Sequence, residues 1–315
     1  MRSVAIIGAG VSGLTCGVVF AERGFRVAIF ADKVGQDTTS GAAAALWFPY
    51  DVEPADKVIP WALKTFSTLL ELSRQTQTGV SITELQQFSR TNEIRIPDWA
   101  NSLGVRALNQ GELRRRFQSG FALNVPLMDT TIYLDYLADR FAAAGGELVR
   151  TPALESLADV NRNFDAVVNC AGIGARRLTG DPDLEPHRGQ VAIVPKLDQF
   201  SSALVCDDPP LAYVIPRTND CVWGGTNGVS DDLSINPAIT AAIVHECSAV
   251  LEIEPPKILT ERVGLRPFRK SGVRLERDCL IDGRVVIHNY GHGGSGFTLS
   301  WGCAEEVFGL FARQA

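Results

Sequence analysis

Apolar residues in this chain come in short runs cut by glycine, and the order of those runs predicts the elements. Val4 to Ile7 is a brief continuous apolar run, suited to a strand buried on both faces. Gly8, Gly10 and Gly13 follow as G-x-G-x-x-G. An apolar stretch to Gly24 then predicts a helix from about Val11, and Phe25 to Phe30 predicts a second strand. Further on, Pro54 to Pro60 reads as a connector and Ala62 to Thr76 as an amphipathic helix. Ser81 to Ile96 has strand-like pieces, and Gln110 to Phe117 reads as a short helix whose Arg114-Arg115-Arg116 run is a solvated face. Leu134, Leu137, Ala138 and Phe141 recur at helical spacing, so Thr131 to Ala144 is predicted helical, ended by Gly145-Gly146. Glu147 to Arg150 is expected as a strand, Leu154 to Leu157 as another extended piece, and Asp165 to Gly174 as an apolar strand entering a glycine turn.

From Gly189 the texture changes. Val191–Ile193, Leu204–Val205, Tyr213–Ile215 and Val222–Trp223 are short, alternating and separated by Pro, Asp and Asn, which predicts an antiparallel meander. Pro237 to Leu251 returns to helix. Val285 onward is a strand, and a last helix runs from about Thr298 to Phe311. The expected class is α/β: a Rossmann-type dinucleotide domain interleaved with an α+β substrate domain that contains an antiparallel sheet. The expected division gives residues 1–50, 130–186 and 255–315 to the nucleotide domain, and 51–129 and 187–254 to the substrate-binding and interface domain.

Composition narrows the partners. The 315 residues are 45% hydrophobic and 21% charged, ordinary for a globular protein. A net charge of -6 offers no basic surface for nucleic acid. Seven cysteines without C-x-x-C pairs suggest buried thiols in a reducing compartment. No apolar run approaches the length of a membrane span. The N-terminal apolar stretch is interrupted by glycines and closed by Glu22 and Arg23 without a cleavage-site pattern, so it reads as strand, loop and helix. A cytoplasmic location is expected.

The glycines carry the first chemistry. Gly8 permits a tight turn, Gly10 lets backbone approach a pyrophosphate, and Gly13 lets the helix pack close. The N–H groups of the helix start face the phosphates, and Asp32 falls where a carboxylate meets ribose hydroxyls. Thr38 to Ala45 is rich in small residues. It either lets backbone and hydroxyls crowd a flat ligand or forms an Ala-rich helix in a core. Trp47, Phe48 and Tyr50 either line a pocket or plug a core. Arg266, set among apolar residues beside Pro267, either has an internal acidic partner or awaits an anionic ligand. Gly291, Gly293, Gly294 and Gly296 form a second glycine loop before a helix, a place for a group with anionic character such as a reduced flavin. His288 and His292 are spaced i,i+4, which shares a face only on a helix. On a strand and loop that spacing makes neither a metal pair nor an acid–base pair the favoured reading.

Val286-Ile-His-Asn-Tyr-Gly-His-Gly-Gly-Ser-Gly296 with Trp301-Gly-Cys-Ala304 resembles the signature of the D-amino-acid oxidase family. Gly264-Leu-Arg-Pro267, Leu46-Trp47, Pro49-Tyr50 and Tyr213-Val-Ile-Pro216 fit the same family, so the resemblance spans essentially the whole chain. It implies non-covalent FAD and a smaller domain whose antiparallel sheet roofs the substrate. It implies pyrophosphate binding by Gly8, Ala9, Gly10, Val11, Ser12 and Gly13, and contacts from Asp32 and Lys33 to the adenosine end. Thr39, Ser40, Ala44, Ala45 and Leu46 would line the flavin side, and Leu154 would meet adenine through its backbone. Gly293, Gly294, Ser295, Gly296, Phe297 and Thr298 would hold the isoalloxazine. Arg266 would clamp a substrate carboxylate, Tyr213 would hydrogen-bond it, and the Gly294 carbonyl would accept from the amine.

The implied activity is hydride transfer from a D-amino acid to flavin, with dioxygen as final acceptor, giving hydrogen peroxide, a 2-oxo acid and ammonia. A homodimer is compatible with the family. The chain departs from mammalian members at Asp207-Asp-Pro-Pro-Leu211, where they carry a second, lid tyrosine. The sister D-aspartate oxidases place arginines at positions matching Cys206 and Asn227, neither of which pairs with a distal carboxylate. With Phe48 as an apolar wall, neutral, apolar D-amino acids are the expected substrates. The alternatives are D-aspartate oxidase, glycine or sarcosine oxidase, and a non-catalytic nucleotide-binding protein.

Overall fold

The computed structural model describes residues 2–50, 52–91 and 93–313. Its elements in chain order are β1 (Ser3–Ala9), α1 (Val11–Ala21), β2 (Arg26–Val34), α2 (Ala55–Leu72), β3 (Val80–Ser89), β4 (Arg106–Ala107), β5 (Ser119–Met128), α3 (Thr130–Ala143), β6 (Glu147–Arg150), β7 (Ala166–Asn169) and α4 (Ala175–Thr179), then β8 (Leu184–Pro195), β9 (Ala203–Cys206), β10 (Ala212–Pro216), β11 (Asp220–Gly224), β12 (Gly228–Val229), α5 (Pro237–Leu251), β13 (Thr260–Arg269), β14 (Arg274–Cys279), β15 (Val285–Tyr290) and α6 (Gly296–Ala312).

The first sheet has the order β14-β15-β7-β1-β2-β6. All its neighbours run parallel except β14, which closes the edge antiparallel to β15. Val4, Ala5 and Ile6 are inaccessible to solvent, as a strand covered on both faces requires. The chain leaves β1 toward β2 and β6, then returns to place β7 on the other side of β1. That reversal opens a crevice at the carboxyl ends of β1 and β7, where open α/β sheets bind ligands.

The second sheet follows the order β12-β8-β11-β10-β9-β3-β5-β4, with β13 on the other edge of β8. It is antiparallel apart from the parallel pair β3–β9. Helix α5 covers one face through Ile243, Cys247 and Val250, which pack with Trp223 and Val214. The other face turns toward the crevice of the first sheet.

Several expectations change. The helix predicted from Ala62 begins at Ala55 and contains Pro60, so the segment read as a connector is its first turns. This helix lies directly on α6: a Cβ on Gly302 would sit 2.2 Å from the Trp61 carbonyl oxygen. The Gly302 N–H donates to Thr65 Oγ1 at 2.9 Å. By packing, α2 therefore belongs with the first layer.

Residues 110–117 form turns. Asn109 Oδ1 accepts from the Gly111 N–H, and Glu112 accepts from the Asn109 N–H, so local side-chain bonds take the place of a helical turn. Arg116 pairs with Glu246 across the surface. Leu154 to Leu157 is not a strand; Leu157 starts a short 3-10 turn capped by Ser156. Residues 260–269, expected with the nucleotide domain, supply β13 to the second sheet. Pro267 is tolerated there because β8 is the one strand along β13 among the described residues, and on the other edge the Pro267 carbonyl only accepts from the Gly293 N–H beside an isolated Phe268–His292 bridge.

Candidate active site

The first glycine loop joins β1 to α1. Gly8 has φ +104°, and a Cβ there would lie 2.5 Å from the Cys170 carbonyl oxygen, so no other residue fits. A Cβ on Gly13 would lie 1.9 Å from the Gly8 oxygen, which lets α1 start flush against the loop. Gly10 faces Ser40, whose Oγ accepts from the Val11 N–H at 3.0 Å. Helix α1 has no acidic residue in its first turn, so its positive end is not neutralised there by its own side chains.

That helix start opens into a cavity of about 720 Å³, within the range of ligand pockets. Gly8, Ala9, Gly10, Val11 and Ser12 line it, with Asp32, Lys33 and Leu154 toward one end. Thr39, Ser40, Ala44, Ala45 and Leu46 lie along it, and Gly293, Gly294, Gly296 and Phe297 come from the second glycine loop. Gly13 does not line it, in keeping with its packing role. Residues 38–45 are turn and coil rather than an Ala-rich helix, so their small side chains border the cavity.

The sequence reading missed Arg177 and Arg262. Arg177 donates to the Leu154 carbonyl at 2.9 Å and pairs with Glu155. Arg262 donates to Gln36 Oε1 at 2.6 Å and to the Gly41 carbonyl at 2.7 Å, fixing the small-residue turn. Arg177 follows the glycine turn that ends at Gly174, which was itself a signal. Arg262 had none beyond its nearness to Gly264.

At the other end stand Arg266, Tyr213, Phe48 and Gly294. The Arg266 guanidinium lies over Gly189, where a Cβ would fall 2.5 Å from Nη1. Its Nη1 donates to the Thr226 carbonyl at 2.8 Å. Among the described residues Arg266 forms no ion pair, so the internal acidic partner is not found there. The Tyr213 ring covers Gly224 and Gly225, and any side chain at either would strike it. Burial raises the Tyr213 hydroxyl's pKa, opposed by the adjacent Arg266, so the phenol stays protonated and able to donate. Gly294 lies between Tyr50 and Arg266: a Cβ there would be 3.0 Å from Tyr50 Cδ1 and 3.7 Å from Arg266 Cδ. The Phe48 ring packs edge-on against Trp99, with centroids 5.3 Å apart.

Two residues of the second loop stand behind the cavity wall. Ser295 and Thr298 do not line the cavity. Ser295 Oγ bonds the N–H and carbonyl of Tyr50, and Thr298 Oγ1 bonds those of Phe48. They stitch the 48–50 segment to the start of α6 and so aim Phe48 and Tyr50. Cys206 is 2% exposed on the opposite face of the second sheet, receiving a bond from Arg90, while Asn227 borders the cavity. His292 is buried against Asn289, and burial pushes its pKa down to about 4. Burial, with Arg274 nearby, pushes His288 down to about 4 as well. Both are neutral structural groups near neutral pH. Among the described residues no cluster of His, Cys, Asp or Glu could hold a metal ion.

A Rossmann-type sheet, a glycine loop that no Cβ could enter and a second glycine loop at the far end define a dinucleotide-dependent oxidoreductase. The family model described as DAO, FAD dependent oxidoreductase, matches residues 3–310, and the chain belongs to that family. The chain is 39% identical over 311 residues to the D-amino-acid oxidase of Rubrobacter xylanophilus, covering 97% of this chain and 94% of that protein. It is 40% identical over 312 residues to the D-amino-acid oxidase of Streptomyces coelicolor, covering 96% and 95%. Its fold is similar to the crystal structure of glycine oxidase from Geobacillus kaustophilus, with a TM-score of 0.83 at 21% identity, covering 99% of this chain and 95% of that one. The enzyme is an FAD-dependent oxidoreductase, and the continuous cavity between the two glycine loops fits that cofactor.

Proposed function

We propose that this enzyme oxidatively deaminates neutral, apolar D-amino acids to 2-oxo acids, ammonia and hydrogen peroxide. The observation that carries the reading is Arg266: a guanidinium without an ion pair among the described residues, beside the Tyr213 phenol and Gly294, where the cavity meets the second glycine loop. An α-carboxylate is the anion that this donor pair fits. The relatives named D-amino-acid oxidase support D-amino acids as the substrates.

Arg266 and Tyr213 bind the carboxylate, and the Gly294 carbonyl accepts from the amine. These contacts fix the α-carbon and decide which of its faces meets the redox centre, which gives selection for one enantiomer. Gly8 to Ser12 would hold the pyrophosphate of FAD, Asp32, Lys33 and Leu154 its adenosine end, and the small-residue segment 38–45 with the second glycine loop its flavin. Bound FAD supplies a two-electron acceptor for the α-hydrogen, with dioxygen as the final oxidant. No side chain need act as a base at the α-carbon. Phe48, Val205, Leu211 and Ile215 form the apolar wall for the substrate side chain. Neither position that matches the arginines of the D-aspartate oxidases supplies a cation for a distal carboxylate: Cys206 faces away, and Asn227 is neutral. The seven cysteines are unpaired, which supports a reducing, cytoplasmic setting. No helix of the described residues is long and apolar enough to cross a membrane.

The test is peroxide release from the FAD-loaded protein against D- and L-amino acids, glycine, sarcosine and D-aspartate. Turnover of apolar D-amino acids with silence on their L-enantiomers is expected. Turnover mainly of D-aspartate or glycine would overturn the substrate class.

A further inference from the structure

Of the acidic groups bordering the cavity that the scheme above does not use, Asp37, Asp207 and Glu261, Asp207 stands beside the apolar wall residue Val205. Val205 pairs with Tyr213 across β9 and β10, so their side chains share a face of the second sheet. Asp207 continues that alternation just beyond β9 and borders the same cavity. Gln87, the register partner of Val205 on β3, is 7% exposed and donates from Nε2 to Asp207 Oδ2 at 2.8 Å. Among the described residues no Lys or Arg pairs with Asp207. Its neighbour Asp208, by contrast, is engaged by Ser89 Oγ and the Arg90 N–H. Desolvation raises the Asp207 carboxyl's pKa, opposed by the Gln87 amide and reinforced by Asp208. The carboxylate is thus aimed by a buried amide and lacks a counter-charge.

Spacing along the strand sets what fits between. Asp207 lies two residues beyond Val205, roughly 7 Å along the roof at a strand's rise per residue. That is comparable with the reach of a side chain of three or four methylenes. Leu211 and Val205 offer apolar cover to such a stem.

We propose that Asp207, aligned by Gln87, is a specificity-determining residue that extends the neutral, apolar range to D-amino acids with an aliphatic stem ending in a cation and disfavours those ending in a carboxylate. The proposal rests on the reading that Arg266 and Tyr213 hold the α-carboxylate. It extends the apolar preference, because the stem still needs the apolar wall. A terminal ammonium supplies the counter-charge that no Lys or Arg among the described residues gives Asp207, and a terminal carboxylate meets a like charge.

The experiment compares kcat/KM for D-lysine, its analogue without the ε-ammonium D-norleucine, and D-glutamate in the FAD-loaded enzyme, in Asp207→Asn and in Asp207→Lys, with FAD content checked by visible absorbance. The D-lysine to D-norleucine ratio is expected to fall about tenfold or more in Asp207→Asn. In Asp207→Lys the D-glutamate to D-norleucine ratio is expected to rise. An arm that needs no variant uses the wild type: raising NaCl from about 0.05 to 0.5 M should lower the D-lysine to D-norleucine ratio through screening. Turnover of D-norleucine with ratios that move less than twofold across variants and salt would overturn the role of Asp207 alone. Silence of the wild type on both D-lysine and D-norleucine would overturn the underlying D-amino-acid reading, and this inference with it.

Discussion

Ser295 and Tyr50 are bonded reciprocally: the Tyr50 N–H donates to Ser295 Oγ at 2.8 Å, and Ser295 Oγ donates to the Tyr50 carbonyl at 2.7 Å. One hydroxyl, inaccessible to solvent, satisfies both backbone groups of a residue 245 positions away. It couples the cavity wall at 48–50 to the glycine loop, so the position of Tyr50 depends on a side chain outside the cavity. Ser295→Ala leaves a buried N–H and carbonyl without that partner. It is expected to cost about 1–3 kcal/mol of stability, read by urea denaturation of the FAD-loaded enzyme. Since Tyr50 flanks Gly294 and Arg266, KM should rise more than kcat falls. A variant with unchanged denaturation midpoint and KM would show that the clamp does not hold the wall.

Helix α6 offers an internal control on packing. Gly302→Ala puts a methyl 2.2 Å from the Trp61 carbonyl oxygen, whereas a Cβ on Gly309 meets nothing within 4 Å. The first substitution forces α2 and α6 apart and should lower the thermal midpoint. The second should be neutral or stabilising by about 0.5–1 kcal/mol, the gain of alanine over glycine inside a helix. Thermal unfolding of the two variants side by side checks the pair; equal effects would contradict the backbone contact between the helices.

At the first loop, Gly13→Ala is expected to release FAD, because its methyl would fall 1.9 Å from the Gly8 oxygen and displace the start of α1. Loss of the flavin's visible absorbance after gel filtration is the readout. A variant that kept its cofactor at wild-type occupancy would contradict the close packing.

Stability should depend on pH through His288 and His292, both held near pH 4 by burial. In the unfolded chain each titrates near 6.5, so between those values the unfolded state binds more protons than the folded one. Stability therefore rises with pH across this window, is fully present above about 6.5 and is lost progressively as pH falls toward about 4. The slope contributed is at most about 1.4 kcal/mol per pH unit for each histidine. Denaturation midpoints at pH 5 and pH 7.5 test it, and His292→Gln should reduce the difference.

The β1–α1–β2 unit was legible because three glycines, a buried strand and a helix each have a local signature that tertiary packing reinforces. The strand, glycine loop and helix at the C-terminus were legible for the same reason. The start of α2 was not, because Pro60 reads as a breaker, and only packing against α6 reveals that the helix tolerates it. Strand β13 was hidden by Gly264 and Pro267, which a strand with full ladders on both edges would reject and one laddered to β8 alone accepts. Ser295 and Thr298 sit in the right motif, but their hydroxyls turn toward residues some 250 positions earlier, which no local pattern encodes. Asp207 lines the cavity only because the β3–β9 and β9–β10 registers bring it to the face shared by Gln87 and Tyr213.

In the proposed reaction Arg266 clamps the substrate carboxylate. The most direct measurement is kcat/KM of Arg266→Ala on an apolar D-amino acid, with FAD occupancy confirmed and Arg266→Lys alongside. A partly desolvated guanidinium–carboxylate pair is expected to cost about 3–5 kcal/mol when broken, roughly a 100- to 1000-fold loss or more, with partial recovery in the lysine variant. A loss below about tenfold in a protein that still holds FAD would contradict the assignment.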